Sequence, residues 1–541
     1  MQRFLATIAK LPLRRLPWRF IGTGFLSASL LVLSFPPASI WPLAFIGFVP
    51  FLLGLLYARN FREVAWMGAT HSIFYILFGF SFVSFVVTNF GGLPWIVGKL
   101  VLVIFSLFVA LPVVYIGLDF TYPKIFPNTL GHVLYNWLPV AQLAEITGLF
   151  GLTVPILLSN LAIAILLSRT VGRRQLKGPA AAGLAGPFSA VLALALVAGF
   201  LWNADRWGRA RMEKLNAQER GWTRKLKISV IQGNIGDIDK LSSERGYEPA
   251  IAHVLNTYRE ATLDSVKNFH PDLVIWPETS YPFLYTHLMD QGANASGAAR
   301  DQWMKDFVHE INTPMFFGSY SNSGKRDFNT AFLVKPPFDL AGQYRKSILL
   351  AFGEYIPLGP FSSIIQDIVP SIADFGRGPG PVLFDVKGAK LGPQICYEGI
   401  FPEHSRGAVK LGADFLLNIT NDSWFGLTGE PKLHLLLTIF RSIETRRPMI
   451  RATNTGISTV VDLTGEMRWS TRLFEPASID TTLNFPGPGQ HAPVTFYTRH
   501  GEYFASTCGV FTLLASLLVF GPGVLGWSRR RATSVKALIG R

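Results

Sequence analysis

Three ionisable residues stand beside short apolar runs in the middle of this 541-residue chain. Glu278 follows Asp272-Leu-Val-Ile-Trp-Pro277, Lys346 precedes Ser347-Ile-Leu-Leu-Ala-Phe352, and Cys396 follows Gly392-Pro-Gln-Ile395. The end of a buried strand is where an α/β scaffold offers a side chain to a cleft from rigid backbone. A thiol needs a base before it becomes a nucleophile, and the tetrahedral oxyanion it then creates needs a positive charge or N–H donors. Carboxylate, ammonium and thiol supply those roles without histidine, so Glu278, Lys346 and Cys396 are candidates for acyl chemistry through a thioester. Each is ordinary when read alone: an acid in a solvated turn, a snorkelling lysine, a cysteine packed as a small hydrophobe. Cys396 occupies the strand-to-turn position of a nucleophile elbow, where the next backbone N–H, that of Tyr397, faces a developing oxyanion.

The elements that must hold these groups read as strands at 226–232, 272–276, 314–318, 331–334, 391–395 and 414–419, with amphipathic helices at 248–268, 298–311 and 431–446 between them. Such alternation predicts an α/β layered domain. Residues 205–225 are charged and read as a short helical linker. The only other cysteine, Cys508, lies in an apolar run, so neither a disulfide nor a zinc or iron–sulfur ligand set is expected. His404 and the other histidines lack ligand spacing and read as structural; no metal and no cofactor is expected.

Composition places the site at a membrane. Hydrophobic residues make up 49% of the chain and charged ones 16%, short of the roughly one quarter charged in soluble domains. Residues 1–204 hold 13 basic and 3 acidic side chains, 205–502 hold 32 of each, and 503–541 hold 5 basic and none acidic. The excess charge therefore sits on the apolar ends while the polar middle is neutral, which argues against nucleic-acid binding. Apolar runs at 21–37, 40–57, 67–88, 94–118, 150–168, 183–203 and 503–526 approach the ~20 residues that span a bilayer. A weaker run at 131–148 carries Asn136 and Glu145 and is interrupted by Pro139. Basic residues before 21, at Arg59 and Arg62, at Arg169–Lys177 and at Arg529–Arg531 mark cytoplasmic segments. Joining those segments requires 131–148 to cross as well, predicting about eight transmembrane helices, an exported 205–502 and cytoplasmic termini. The spans that follow make 21–37 an uncleaved anchor rather than a signal peptide.

Trp276-Pro-Glu278, Arg345-Lys346 with Gly353-Glu354-Tyr355-Ile-Pro357, Cys396-Tyr-Glu398 and Asn421-Asp-Ser-Trp-Phe-Gly426, in this order and spacing, resemble the carbon–nitrogen hydrolase (nitrilase) superfamily. With the preceding spans the chain resembles its apolipoprotein N-acyltransferase branch, closely over 226–467 and more loosely before. The resemblance implies a multi-span α-helical membrane protein with an exported α/β domain, a nitrilase-like αββα sandwich. It divides the chain into a transmembrane region at 1–204, a linker at 205–225, a catalytic domain at 226–500, and a last transmembrane helix with a basic tail at 501–541. It places a catalytic triad on Glu278, Lys346 and Cys396, flanked by Glu354 and Glu398, with Tyr397 next to the cysteine; Trp424 and Phe425, in a Gly-bounded loop after the 414–419 strand, read either as an exposed aromatic arm that guides acyl chains or as core packing. It further implies transfer of an acyl chain from a phospholipid donor to the N-terminal amine of an apolipoprotein acceptor in the lipid bilayer of the bacterial inner membrane, the catalytic domain facing the periplasm; eight spans with one exported domain need no partner for stability, so a monomer is expected. The residues alone leave open a membrane-tethered amidase with the same triad. Two departures from the family pattern stand out: Ile231–Ile238 lacks the tryptophan usual after the first strand, and 119–150 is short.

Overall fold

A computed structural model describes residues 17–79, 126–171, 187–285, 295–324, 326–337, 339–357, 374–426, 428–510 and 513. The run expected at 94–118 lies outside these, as do residues 80–88 and nearly all of 511–526. Apolar helices form first along the chain: α1 (Trp18–Ser34), α2 (Val49–Tyr57), α3 (Phe61–Gly79), α4 (Ala144–Val171) and α5 (Pro187–Arg220). Among the described residues two stretches are long and apolar enough to cross a membrane, Ala144–Ser168 and Ala190–Arg220; Trp18–Ser34 and Trp41–Tyr57 are shorter. Helix α5 runs on through Arg220 without a break, so most of the expected linker is the solvent end of that helix.

The expected crossing at 131–148 is not a continuous helix. A 3₁₀ turn (Leu130–Asn136) and one helical turn (Leu138–Ala141, with Pro139 in its first positions) precede α4, and Gly148 interrupts α4 at φ 63°. The physical reason is polar. The Gln142 amide donates to the Thr464 carbonyl at 2.8 Å, and Glu145 pairs with Arg446 at 2.7 Å and with Arg211 at 2.9 Å. Such groups satisfy themselves against protein rather than lipid, and they make this segment a ledge that docks the following domain.

That domain is built from two six-stranded sheets. Strands β1 (Arg224–Gln232), β2 (Leu273–Ile275), β3 (Met315–Asn322), β4 (Asp327–Lys335) and β5 (Asp339–Arg345) form the first. Strands β6 (Phe384–Val386), β7 (Ala389–Ile395), β8 (Phe415–Thr420), β9 (Met449–Thr453), β10 (Thr459–Val461) and β11 (Met467–Ser470) form the second, and β12 (Ala477–Phe485) returns to pair with β1. The parallel pairs β1–β2–β3 and β7–β8–β9 each require crossover helices. These are α7 (Glu248–Phe269) and α8 (Ala295–Ile311) for the first sheet, and α9 (Pro402–Leu411) and α10 (Glu430–Thr445) for the second; the short α6 (Asp237–Glu244) precedes α7.

Alternation along the strands decides the layers. Ile228, Val230, Leu273 and Ile275 face Leu391, Ile395, Phe415 and Leu417 between the sheets, whereas Ile231, Val274 and Trp276 turn outward to α7 and α8. The result is the expected αββα sandwich. Helix α10 is buried on both sides, which an amphipathic pattern does not predict: Leu435 and Ile439 pack on the second sheet, while Leu436, Leu437, Phe440 and Ile443 pack with Leu31, Leu134, Val140 and Leu152 of the membrane region.

Candidate active site

Glu278 begins the loop after β2. The next residue, Thr279, has φ 48°, and Gly318 on β3 lies so close that a Cβ there would stand 2.5 Å from the Thr279 nitrogen and 2.6 Å from the Glu278 Cα; only glycine fits under this turn. The buried Glu278 carboxylate accepts Asn329 Nδ2 at 2.7 Å on Oε1 and the Asn421 backbone N–H at 2.9 Å on Oε2. Lys346 leaves β5, and its Nζ lies 3.5 Å from Glu278 Oε1 and 2.8 Å from Glu354 Oε1. Asn329 donates to Glu354 as well, at 3.1 Å, and the Leu350 N–H fixes its other oxygen at 2.8 Å. Burial by itself would favour a neutral Lys346, but Glu354 and Glu278 outweigh it and hold the ammonium above its ordinary pKa.

Cys396 ends β7 with φ 52°, a left-handed conformation that costs a non-glycine residue about 1–3 kcal/mol and marks functional turns. Its carbonyl accepts Asn418 Nδ2 at 3.2 Å. The Thr420 hydroxyl faces its sulfur, and Glu278 and Lys346 both act on its charge. Part of the residue reaches solvent, but protein encloses the thiol otherwise. Burial, then the Glu278 charge, push its pKa well above the ordinary value although Lys346 opposes them. Cys396 therefore rests as a thiol and would need a base to react, and Glu278 lies near enough to act on its charge. Glu278, Lys346 and Cys396 thus meet from three separate strand ends.

Glu398 is fully buried and does not touch Lys346. Its Oε1 accepts the Tyr344 hydroxyl (2.7 Å), the Ser347 N–H (2.7 Å), the Ser347 hydroxyl (2.8 Å) and the Ile348 N–H (3.0 Å), while Oε2 accepts the Ile395 N–H at 2.8 Å. This one carboxylate ties the lysine loop to the nucleophile elbow.

The carbon–nitrogen hydrolase family matches residues 227–477, and the apolipoprotein N-acyltransferase N-terminal domain family matches residues 27–118. Among solved structures, an amidase from Nesterenkonia sp. is similar at 18% identity and a TM-score of 0.35, over 49% of this chain and 93% of that one. The apolipoprotein N-acyltransferase of Bdellovibrio bacteriovorus is 31% identical over 94% of this chain and 95% of its own length. That of Geobacter metallireducens is 31% identical over 93% and 96%. The chain belongs to the apolipoprotein N-acyltransferase family.

The remaining expected residues of this apolipoprotein N-acyltransferase family member divide. Tyr397 is buried, its ring edge-on to Phe126 at 5.8 Å and Phe401 at 4.8 Å. Trp424 and Phe425 do not form an exposed arm: Phe425 is buried, Trp424 is half-buried, and the Trp424 indole N–H points inward to the Asn421 amide, 3.1 Å away. The Gly-bounded loop is pulled down by that polar anchor instead of projecting. His404 is buried against the Tyr344 hydroxyl, 3.3 Å away. Sequence reasoning missed Asn329 and Asn418, whose only signal is a polar side chain within a buried strand, and it gave Asn421, quoted within a family motif, no role of its own. Asp422, Glu430 and His434 bring ligand atoms within 4.8 Å of one another. A guanidinium already serves this cluster, because Arg451 Nη2 donates to Asp422 at 3.0 Å while its Nη1 donates to Asn418 at 2.7 Å.

Proposed function

We propose that this protein moves an acyl chain from a membrane phospholipid to the N-terminal amine of an apolipoprotein through a thioester on Cys396. Glu278 takes the thiol proton as sulfur attacks the ester carbonyl, and Lys346 with the Tyr397 N–H stabilises the oxyanion. The ester C–O bond breaks, and the lysophospholipid oxygen leaves with the proton held by Glu278. The acceptor amine then attacks the thioester and yields a proton to Glu278. Collapse forms the amide, and that proton returns to the departing Cys396 sulfur.

The observation that carries this reading is one apolar cluster that runs from Leu31, Phe48 and Leu152 of the membrane region to Tyr397 and Ile400, directly after the nucleophile. A soluble amide needs no such continuity, whereas an acyl donor dissolved in a bilayer does. The orientation follows from the flanking spans: Arg169, Arg173, Arg174 and Lys177 precede α5, and Arg529–Arg531 follow the last apolar run, so both outer ends are cytoplasmic and the domain between them faces the periplasm of a bacterial inner membrane. One chain supplies anchor and triad, and it acts as a monomer.

Incubation of the purified protein with a labelled phospholipid tests the reading. A hydroxylamine-sensitive adduct at Cys396, absent in Cys396→Ala and discharged by a diacylglyceryl-cysteine peptide, is the expected result. Hydrolysis of a small amide with no adduct from any phospholipid would replace it with the amidase.

A further inference from the structure

A second lysine reaches the same carboxylate. Lys240, on α6, is 6% exposed, and its Nζ donates to the Thr279 hydroxyl. The Asn421 amide oxygen lies 2.6 Å from the same Nζ; it is the oxygen that turns this way, because an ammonium only donates. Both partners are the residues that set Glu278. Thr279 is its chain neighbour, held at φ 48°, and the Asn421 N–H occupies Glu278 Oε2. The charged and titratable groups around Lys240 are Glu244 and Asp237 on its own helix, and Glu278 and Cys396 across the site. Glu244 is also engaged by the Tyr320 hydroxyl at 3.0 Å.

The charge count explains why a second cation is useful. Glu278 and Glu354 face Lys346 together, so one ammonium serves two carboxylates. When the thiol proton moves to Glu278, a negative charge appears on sulfur and then on the oxyanion, in surroundings where an uncompensated charge is expensive. Burial lowers the Lys240 pKa while Glu244, Glu278 and Asp237 oppose it; from the far end of the Thr279–Asn421 tether its ammonium supplies the second positive charge, and it fixes the direction of the carboxylate that receives the proton.

We propose that Lys240 is a positioning residue of the active site, tying the Glu278 turn to the Asn421 loop and supplying a second positive charge to the Glu278–Cys396 pair. The role rests on the acyl-transfer reading only for its substrate; alkylation of Cys396 by iodoacetamide reports on the same pair without any acyl donor.

The full-length detergent-purified enzyme tests it with Lys240→Met, Lys240→Arg and Thr279→Val, measuring thermal midpoint, donor KM, adduct rate and the pH dependence of Cys396 alkylation. Lys240→Met is expected to keep donor KM within about threefold, to lose about 10²-fold in adduct formation, and to move the alkylation profile about one pH unit upward. Lys240→Arg keeps the charge and is expected to keep that pH midpoint while losing rate through the altered tether; Thr279→Val loses rate alone. A folded Lys240→Met with an unshifted profile and an adduct rate within twofold overturns the proposal. So does Lys240→Arg shifting the profile as far as Lys240→Met. If Lys240→Met fails to fold, the Arg and Val variants decide: unchanged rates in both reduce Lys240 to a packing residue. A wild-type enzyme that alkylates at Cys396 but forms no phospholipid adduct refutes the acyl-donor assignment and leaves the alkylation comparison standing.

Discussion

Removing the Lys346 ammonium has two consequences that separate by the substituent chosen. At 2.8 Å from Glu354 Oε1 and 3.5 Å from Glu278 Oε1, Lys346 has a gross attraction of about 6 and about 5 kcal/mol to the two carboxylates at an effective dielectric constant of ~20. Those sums are comparable with the several kcal/mol that desolvating each ion costs. Without the cation, Glu278 and Glu354, already bridged by Asn329, face each other with no ammonium between them, and the Glu278 base loses the charge that holds it in place. Lys346→Met therefore loses the oxyanion cation and the placement of the base. Single losses of about 10²–10³ and 10²–10⁴ that do not simply multiply give an expected drop of about 10³–10⁴ in adduct formation. Lys346→Arg keeps a cation between the two carboxylates and misplaces only the charge, so it should lose about 10². Single-turnover labelling of Cys396 by phospholipid, followed by discharge to a peptide amine, reads the two steps separately. Near-normal rates for both steps in Lys346→Arg, or a loss below about tenfold in Lys346→Met, would refute the reasoning.

Other expectations follow from the same coordinates. In Glu398→Gln an amide NH₂ must meet either the Ile395 N–H or the donors on Oε1, costing about 1–3 kcal/mol for the unmatched donor and slowing adduct formation as the lysine loop loosens; a thermal midpoint equal to wild type would count against the tie. Arg446→Met leaves Glu145 with Arg211 alone and should cost about 3 kcal/mol, partly recovered in a double variant with Glu145→Leu; denaturation in detergent measures both, and a loss below about 1 kcal/mol would remove the ledge from the docking account. Glu444 is fully buried, and burial pushes its carboxyl up from 4.5 to about 8 although Arg441 lies 3.0 Å away. The folded state holds that proton while the unfolded state releases it, so stability should fall as pH rises from about 4.5 to about 8, by up to about 1.4 kcal/mol per pH unit, and level off above. Thermal midpoints across that window should lose this slope in Glu444→Gln; an identical slope in the variant would show that other groups carry it.

The sequence by itself determined the local and the periodic. Runs such as 226–232 and 414–419 became β1 and β8 because apolar residues bounded by turn formers leave a chain few alternatives, and 248–268 became α7 because its apolar face repeats at helical spacing. The unequal charge of the ends against the neutral middle was equally readable, since lipid tolerates few charges wherever a span folds. The three candidate residues were legible as well, each at the end of its own apolar run. What no spacing contained was who meets whom. Strands β9 to β11 are short, and β12, exposed on alternate residues, acquires its pairing only from β1 at the other end of the domain. The ledge at 131–148 reads as a poor span because the partners of Gln142 and Glu145 lie some 300 residues away, at Thr464 and Arg446. Glu398 reads as a companion of Lys346 but becomes the clasp between two loops, and Trp424 turns inward because an amide carbonyl is there to receive its N–H. Lys240 and Asn329 were invisible for the same reason: a polar side chain in the interior has no meaning until the fold decides which charge it must satisfy, and that decision is made by long-range packing, whose energy is distributed over contacts that adjacent residues do not share.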